Sequence, residues 1–147
     1  MQKVTLMSVG TVKTAWIKEG CELYQDRLRR ACDFSERVIK SGAAAEEHER
    51  ILQALSKVQG AIVILDETGK EHSSRGFAGW LGKTRDAGMP VTFVLGGAYG
   101  FSDEIRQKGS LVLRLSSMTF PHELCKLVFL EQLYRAYEIL KGSGYHH

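Results

Sequence analysis

The sequence predicts an α/β fold built on a mostly parallel sheet of five or six strands flanked by helices. Two observations carry that prediction. Strand-length apolar runs alternate with segments of helical period from one end of the chain to the other. Two of the runs, AIVIL at 61–65 and PVTFVL at 90–95, are almost continuously apolar, as strands covered on both faces are. The strand–helix alternation also implies right-handed crossovers.

The elements follow in order. VTLMSV (4–9), closed by Gly10, reads as the first strand. Residues 14–30 carry Ile17, Cys21, Tyr24 and Leu28 at helical spacing. Residues 34–39 alternate weakly as a second strand, and 44–58 place Ile51, Leu52, Leu55 and Val58 on one helical face. AIVIL ends in DETGK, whose composition predicts a turn. Residues 74–86 form a helix turning Phe77, Trp80 and Leu81 inward despite three glycines, and PVTFVL ends in GGAYG. Ser102 suits the cap of a short helix, with Asp103 and Glu104 in its first turn. LVLRL (111–115) is the fifth strand, and a long helix follows Pro121. Ligands of such sheets bind beyond the carboxyl ends of the strands, here 66–69, 96–100 and 116–120.

Composition narrows the class. A chain of 147 residues is expected to form one domain that buries roughly two thirds of its unfolded surface. With 44% hydrophobic residues, 25% charged, and 2 Pro against 15 Gly, it matches neither a disordered nor a low-complexity chain, and no internal repeat is visible. The formal charge of +3 suits an anionic partner but falls short of a polybasic one. Cys21, Cys32 and Cys125 are odd in number and irregular in spacing, which favours free thiols in a reducing compartment. No apolar run approaches the ~20 residues of a membrane span, and the start lacks a signal-peptide pattern, so the expectation is a cytoplasmic protein with no membrane partner.

The motifs leave alternatives open. GGAYG matches neither a dinucleotide fingerprint nor a phosphate-binding loop, and reads as a tight turn or as a close backbone approach to a ligand. In SSMTFPH, Pro121 suits a first helical turn, with Ser116, Ser117 or Thr119 offering capping oxygens. His122 is less readily explained, because a helix N-terminus disfavours imidazolium. The helix after it carries apolar residues around most of its circumference, more than one sheet face can cover, and a two-fold homodimer is the commonest cover. Glu131 and Arg135 interrupt that surface as an i,i+4 pair. The RLRR run at 27–30 is either a solvated face or a phosphate contact. The terminal GSGYHH is either frayed or brings Tyr145 and His146 to a site. The histidines and cysteines adopt no zinc spacing, and no metal is expected.

Several stretches together resemble one family: SVGTVK, the YQDRL of the first helix, LDETGK, VLGGAYGF, and above all LRLSSMTFPHELCKLVFLEQLYRAYEILKGSGYHH. The chain is similar along essentially its whole length to bacterial large-subunit rRNA pseudouridine methyltransferases of the SPOUT, or trefoil-knot, class. That resemblance implies a knotted α/β homodimer that binds S-adenosyl-L-methionine. It further implies methylation of ring nitrogen 3 of a pseudouridine in the helix 69 hairpin of 23S rRNA, within the ribosome and with no DNA partner. Matched positions place the cofactor against Leu65, Gly96, Gly97 and the loop Leu115, Ser116, Ser117, Met118, Thr119 and Phe120. His122, Lys126, Arg135, Tyr145 and His146 match the substrate side of the cleft. Lys126 stands where such proteins usually carry arginine, and a lysine lacks the planar two-point contact. SGAAAEEHER is shorter than the corresponding segment of many relatives.

The implied reaction removes an imide proton. His122 or His146 would accept it best by type, since an unperturbed histidine titrates at about 6.5; Tyr145 and Glu123 are weaker candidates. Otherwise Lys126 or Arg135 stabilises the imide anion and water takes the proton. Alignment of the reacting atoms contributes on the order of 7–11 kcal/mol in favourable cases. Tyr99 and Tyr145 are candidate stacking platforms for RNA bases. The rival readings are a knotted methyltransferase of another rRNA or tRNA nucleotide, a cofactor-binding RNA module without turnover, and a nucleotide-binding regulator.

Overall fold

The computed structural model describes residues 1–147. Its elements run β1 (Lys3–Val9), α1 (Ala15–Leu28), β2 (Asp33–Ile39), α2 (Ala44–Leu55), β3 (Ala61–Glu71), α3 (Ser74–Asp86), β4 (Val91–Leu95), α4 (Asp103–Gln107), β5 (Leu111–Arg114) and α5 (His122–Lys141). The five strands form one sheet in the order β2-β1-β4-β3-β5, with every neighbouring pair parallel. The expected alternation and buried strands are present. No helix is long and apolar enough to cross a membrane.

Side-chain alternation along the strands divides the core in two. Val4, Leu6, Val63, Leu65, Val91 and Phe93 face one layer of helices, α1, α3 and α5. Met7, Ile64 and Val94 face α2 and α4 on the other side. β4, at the centre, is buried at all five positions. Phe93 meets Phe129 of α5 at 4.9 Å between ring centroids and Phe77 of α3 at 5.9 Å, which locks the first layer to the sheet.

Two local expectations are corrected. DETGK does not end the strand. Residues 66–69 bulge outward, and β3 resumes pairing with β5 through Lys70 and Glu71, so Leu65 and Lys70 both lie opposite Leu113. The bulge is fixed by Asp66, whose carboxylate accepts from the backbone N–H of Thr68 at 3.0 Å and from its hydroxyl. Gly69 has no room for a side chain: a Cβ there would lie 2.6 Å from the Val112 carbonyl. The second correction concerns the start of α5. Pro121 itself occupies the N-cap, with extended backbone and no side-chain cap. Ser116 instead accepts from the Met118 N–H within its own loop, at 3.0 Å.

The apolar circumference of α5 is covered largely within the chain. α1 packs on one flank and α3 on the other. Each flanking helix carries a glycine at the contact: a Cβ on Gly20 would lie 2.9 Å from Leu127, and one on Gly82 would lie 2.8 Å from Leu140. These small residues let α5 sink between its neighbours, so its flanks need no second subunit. Leu124 and Val128, on the outer ridge with Glu131 and Arg135, remain half-buried.

Candidate functional site

At the carboxyl ends of β3, β4 and β5 lies a cleft of about 400 Å³. Its floor is apolar, made by Leu65, Leu95 and Leu113 where the strands end, with buried Phe101 at one side. Two loops form the walls. Gly96 to Gly100 follows β4, and Leu115 to Phe120 follows β5. Of the expected cofactor positions, Leu65, Gly96, Gly97, Leu115 and Ser116 line the cleft, as do Met118, Thr119 and Phe120, while Ser117 does not. Tyr99 and Met118 stand exposed on opposite loops, and His122 is exposed where α5 begins.

The glycine turn is held from beneath by residues that carried no motif. Gly100 adopts the left-handed region at φ 64°, and its N–H donates to the Gly97 carbonyl at 3.2 Å. His48 of α2 bonds the Gly100 carbonyl through Nε2 at 3.2 Å. Gly97 is pressed against Val9 and the buried carboxylate of Glu47; a Cβ there would lie 3.1 Å from Val9 and 3.2 Å from Glu47 Oε1. Glu47 in turn accepts from the Gly42 N–H at 2.9 Å. The turn is thus a fixed wall rather than a loose connection.

Opposite it, Asp66 accepts from Arg106 Nε at 3.1 Å. Burial alone would raise the Asp66 carboxyl, but Thr68's two donors and the Arg106 guanidinium hold it below the ordinary carboxylate range. The Asp66–Arg106 pair ties α4 to the end of β3, and Arg106 is held in place by a second pair with Asp103 of its own helix at 2.7 Å. Sequence reading had marked 66–69 as a strand end but gave no sign of Arg106; the only local signals were the Asp-x-Thr spacing and the Asp103–Arg106 i,i+3 pair. Cys125 lies half-buried in the cleft wall, and burial raises its thiol pKa. All three cysteines are free.

Arg135, Tyr145 and His146 form a second cluster. Glu131 and Arg135 pair at 2.8 Å. The Tyr145 hydroxyl donates to Glu131 at 2.8 Å, its ring meets Tyr134 at 5.0 Å, and Arg135 lies over it at 4.9 Å. The tail is therefore docked. Gly142, in the left-handed region, terminates α5 and turns the tail back. Burial, reinforced by hydrogen bonding to Glu131, raises the Tyr145 hydroxyl pKa. Arg135 Nη1 donates to His146 Nδ1 at 3.0 Å. Burial and the nearby cations Arg75 and Arg135 depress the His146 pKa. Because a guanidinium only donates, Nδ1 accepts in this contact, which puts the ring proton on Nε2. Beside the cluster, Arg27 of the RLRR run lies 5.4 Å from both the Tyr24 and Tyr134 rings.

Within one chain these candidates do not share a site. His122 and Arg135 are thirteen residues apart on α5, about 20 Å along its axis. Lys126 faces neither group: it is buried and its ammonium pairs with Glu36 of β2 at 3.0 Å. Glu123 accepts from the backbone N–H groups of Lys13 and Thr14, at 3.0 and 3.2 Å, ahead of α1. These two donors lower its pKa and commit it to structure. No cluster of potential metal ligands is present.

The cleft fits S-adenosyl-L-methionine in size and chemistry. Its volume lies within the range of ligand sites, its floor is apolar, and its two walls are backbone-rich loops. Comparison with known proteins points the same way. A family model described as "Predicted SPOUT methyltransferase" matches residues 2–146. The chain is 42% identical to "Ribosomal RNA large subunit methyltransferase H" of Oleidesulfovibrio alaskensis, over 100% of both chains. It is 39% identical to the protein of the same name from Geobacter metallireducens, over 99% of both. Among solved structures, a probable methyltransferase from Bordetella pertussis Tohama I superposes with a TM-score of 0.61 at 12% identity, covering 92% of this chain and 95% of that one. Lpg2936 from Legionella pneumophila, a putative methyltransferase in complex with the bound cofactor SAM, gives 0.50 at 10% identity, covering 92% and 66%. At those identities the two structures speak for the fold.

Proposed function

The chain belongs to the SPOUT methyltransferase family and is an S-adenosyl-L-methionine-dependent methyltransferase of large-subunit ribosomal RNA; we propose that it methylates ring nitrogen 3 of a pseudouridine in the helix 69 hairpin, as a homodimer acting on the ribosome. One observation, joined to the full-length similarity, carries this reading: the glycine turn and the loop 115–120 converge on a single cleft beyond the strand ends. The trefoil knot expected of the class belongs to the same proposal.

When bound, S-adenosyl-L-methionine supplies an electrophilic methyl group. Leu65 and Leu95 offer apolar contact, and the backbone of Gly96, Gly97 and residues 115–120 offers hydrogen bonds. Arg135 and His146 act on the substrate. His146 Nδ1 is engaged by Arg135, which leaves its Nε2–H as a donor rather than an acceptor. Together the two groups stabilise the negative charge that develops as the imide loses its proton. His122 is exposed and has no hydrogen-bonding partner that would orient it as a general base, so the proton passes to water at the cleft mouth.

The 20 Å separation along α5 supports the homodimer more strongly than the apolar surface does. Two α5 helices packed antiparallel about an axis near Val128 would set the Arg135 cluster of one protomer beside the cleft of the other. Leu124 and Val128 supply the half-exposed apolar ridge for that contact.

Transfer of a labelled methyl group to unmodified ribosomal subunits, with mass mapping of the modified nucleotide, tests the activity and its target. No transfer, or transfer to another nucleotide, would refute the assignment. Mixed dimers of Gly97→Val chains, whose cleft wall is obstructed, and Arg135→Ala chains test the shared site, given that each variant is impaired as a homodimer. Assembly across the axis leaves one intact site and up to half of wild-type turnover. Assembly within a chain leaves none.

A further inference from the structure

We propose that a second, basic groove between the β2 edge and α2 binds the phosphodiester backbone of the RNA substrate, away from the target nucleotide; this rests on the rRNA reading above. The groove, about 250 Å³, is lined by four cations, Arg37, Lys40, Arg50 and Lys57, and by no carboxylate. Arg37 stands two residues before buried Ile39 and so projects toward α2. Arg50 closes the groove from the helix. Its Nη1 donates to the carbonyls of Lys40 and Ser41 at 3.0 and 3.4 Å, which ties the end of β2 to α2. Its contact with Glu46 at 3.4 Å is the one ion pair that any of the four makes. Arg37, Lys40 and Lys57 are exposed and unpaired.

β2 is an edge strand, and charges on an edge discourage pairing with other chains. That accounts for Arg37 and Lys40 alone. It does not account for Arg50 and Lys57 meeting them from α2 across a concavity, at the cost of mutual repulsion. A polyanion threaded between them removes that repulsion and releases its condensed counterions. The strand order places β2 two to four strand spacings, roughly 10–20 Å, from the strands that floor the cleft. A substrate strand reaching the cleft can therefore also lie in the groove.

The test uses the full chain with the triple substitution Arg37→Gln, Lys40→Gln and Lys57→Gln. Its control removes equal charge at the other end of the sheet, through Lys3→Gln, Lys83→Gln and Arg85→Gln. Binding is measured against salt on large ribosomal subunits and on deproteinised rRNA, alongside calorimetry with S-adenosyl-L-methionine. Loss of three phosphate contacts lowers the log–log salt slope by about 2 and weakens binding roughly 10- to 100-fold near 0.1 M salt on both substrates. The control variant keeps the wild-type slope, and cofactor affinity is unchanged in both. A groove variant with the wild-type slope and affinity overturns the proposal. So does a loss confined to intact subunits, which would mark a protein partner. Because the readout is binding, it stands apart from the methyl-transfer assay. RNA binding that depends on the groove without any methyl transfer would refute the assigned activity and leave the groove standing.

Discussion

Substituting Gly69 by alanine tests how the β3 bulge shapes the cleft. The added Cβ would lie 2.6 Å from both C and O of Val112 and 2.8 Å from the Leu113 nitrogen. Carbon contacts settle near 3.5–4.0 Å, so the bulge must retreat by roughly 1 Å. The obstructing atoms belong to the backbone of the paired strand and cannot rotate aside. Overpacking of this kind costs about 1–3 kcal/mol, and here the upper end is expected because the Lys70–Leu113 and Glu71–Arg114 pairings share the strain. For a domain of this size that corresponds to a Tm lower by roughly 6–12 °C. The retreat also displaces Asp66 and its link to Arg106, so cofactor affinity falls at least about tenfold, or about 1.4 kcal/mol. Calorimetry measures both quantities. Gly79→Ala is the control: Gly79 lies in α3 with nothing within 4 Å of its Cβ direction, and alanine there gains up to about 1 kcal/mol of helix propensity. A Gly69→Ala protein with wild-type Tm and cofactor affinity would refute the packing account of the bulge.

Three further outcomes follow from the site. The Asp66 carboxyl is held below its ordinary range, so its stabilising effect is complete above the unfolded value of about 3.9 and is lost as pH falls through the lower folded value. Asp66→Asn should flatten the acid limb of stability in urea titrations between pH 5 and pH 2, whereas an unchanged limb would dissociate the Arg106 pair from stability. His48→Leu removes the bond to the Gly100 carbonyl and should weaken cofactor binding several-fold, on the scale of one hydrogen bond of about 0.5–1.5 kcal/mol, with partial rescue by glutamine. Equal affinity in all three proteins by calorimetry would free the turn from α2. Glu131→Gln weakens the hold on Arg135 and Tyr145 and should lower kcat about tenfold or more while leaving cofactor affinity unchanged, because the cluster is proposed to act on the substrate's developing charge and holds neither wall of the cleft. A change in cofactor Kd with kcat intact would contradict the division of roles.

Strand and helix order was legible because its physics is local. β4 is apolar at almost every position and is buried at every one, and Ser102 caps α4 by accepting from the Ile105 N–H as its residue type suggests. The loops that wall the cleft were also legible as turns, through SSMTFPH and GGAYG, since glycine, serine and proline mark turns by their own backbone preferences. What lay hidden was long-range. The Arg106–Asp66 pair spans forty residues, and the support of Gly100 by His48 spans fifty-two. Neither leaves a periodic trace. Lys126 shows the limit of carrying roles over by position. Matched to the substrate side, it is instead buried and neutralised by Glu36, a partner ninety residues earlier that no spacing on α5 could indicate.

The apolar helix led to the expectation of a homodimer, but its flanks do not supply the reason for one. Its flanks are satisfied inside the chain by Gly20 and Gly82, which admit Leu127 and Leu140 at distances that any larger residue would forbid. Hydrophobic excess therefore does not require a partner. The proposed homodimer rests instead on the separation of the proposed chemical groups. The cleft sits at the start of α5 and the groups proposed to stabilise the imide anion, Arg135 and His146, at its end, and a rigid helix cannot fold back to join them. A lone chain would then bind the methyl donor without transferring it. Cofactor affinity independent of protein concentration, with turnover that falls as the dimer dissociates, is the signature of that arrangement.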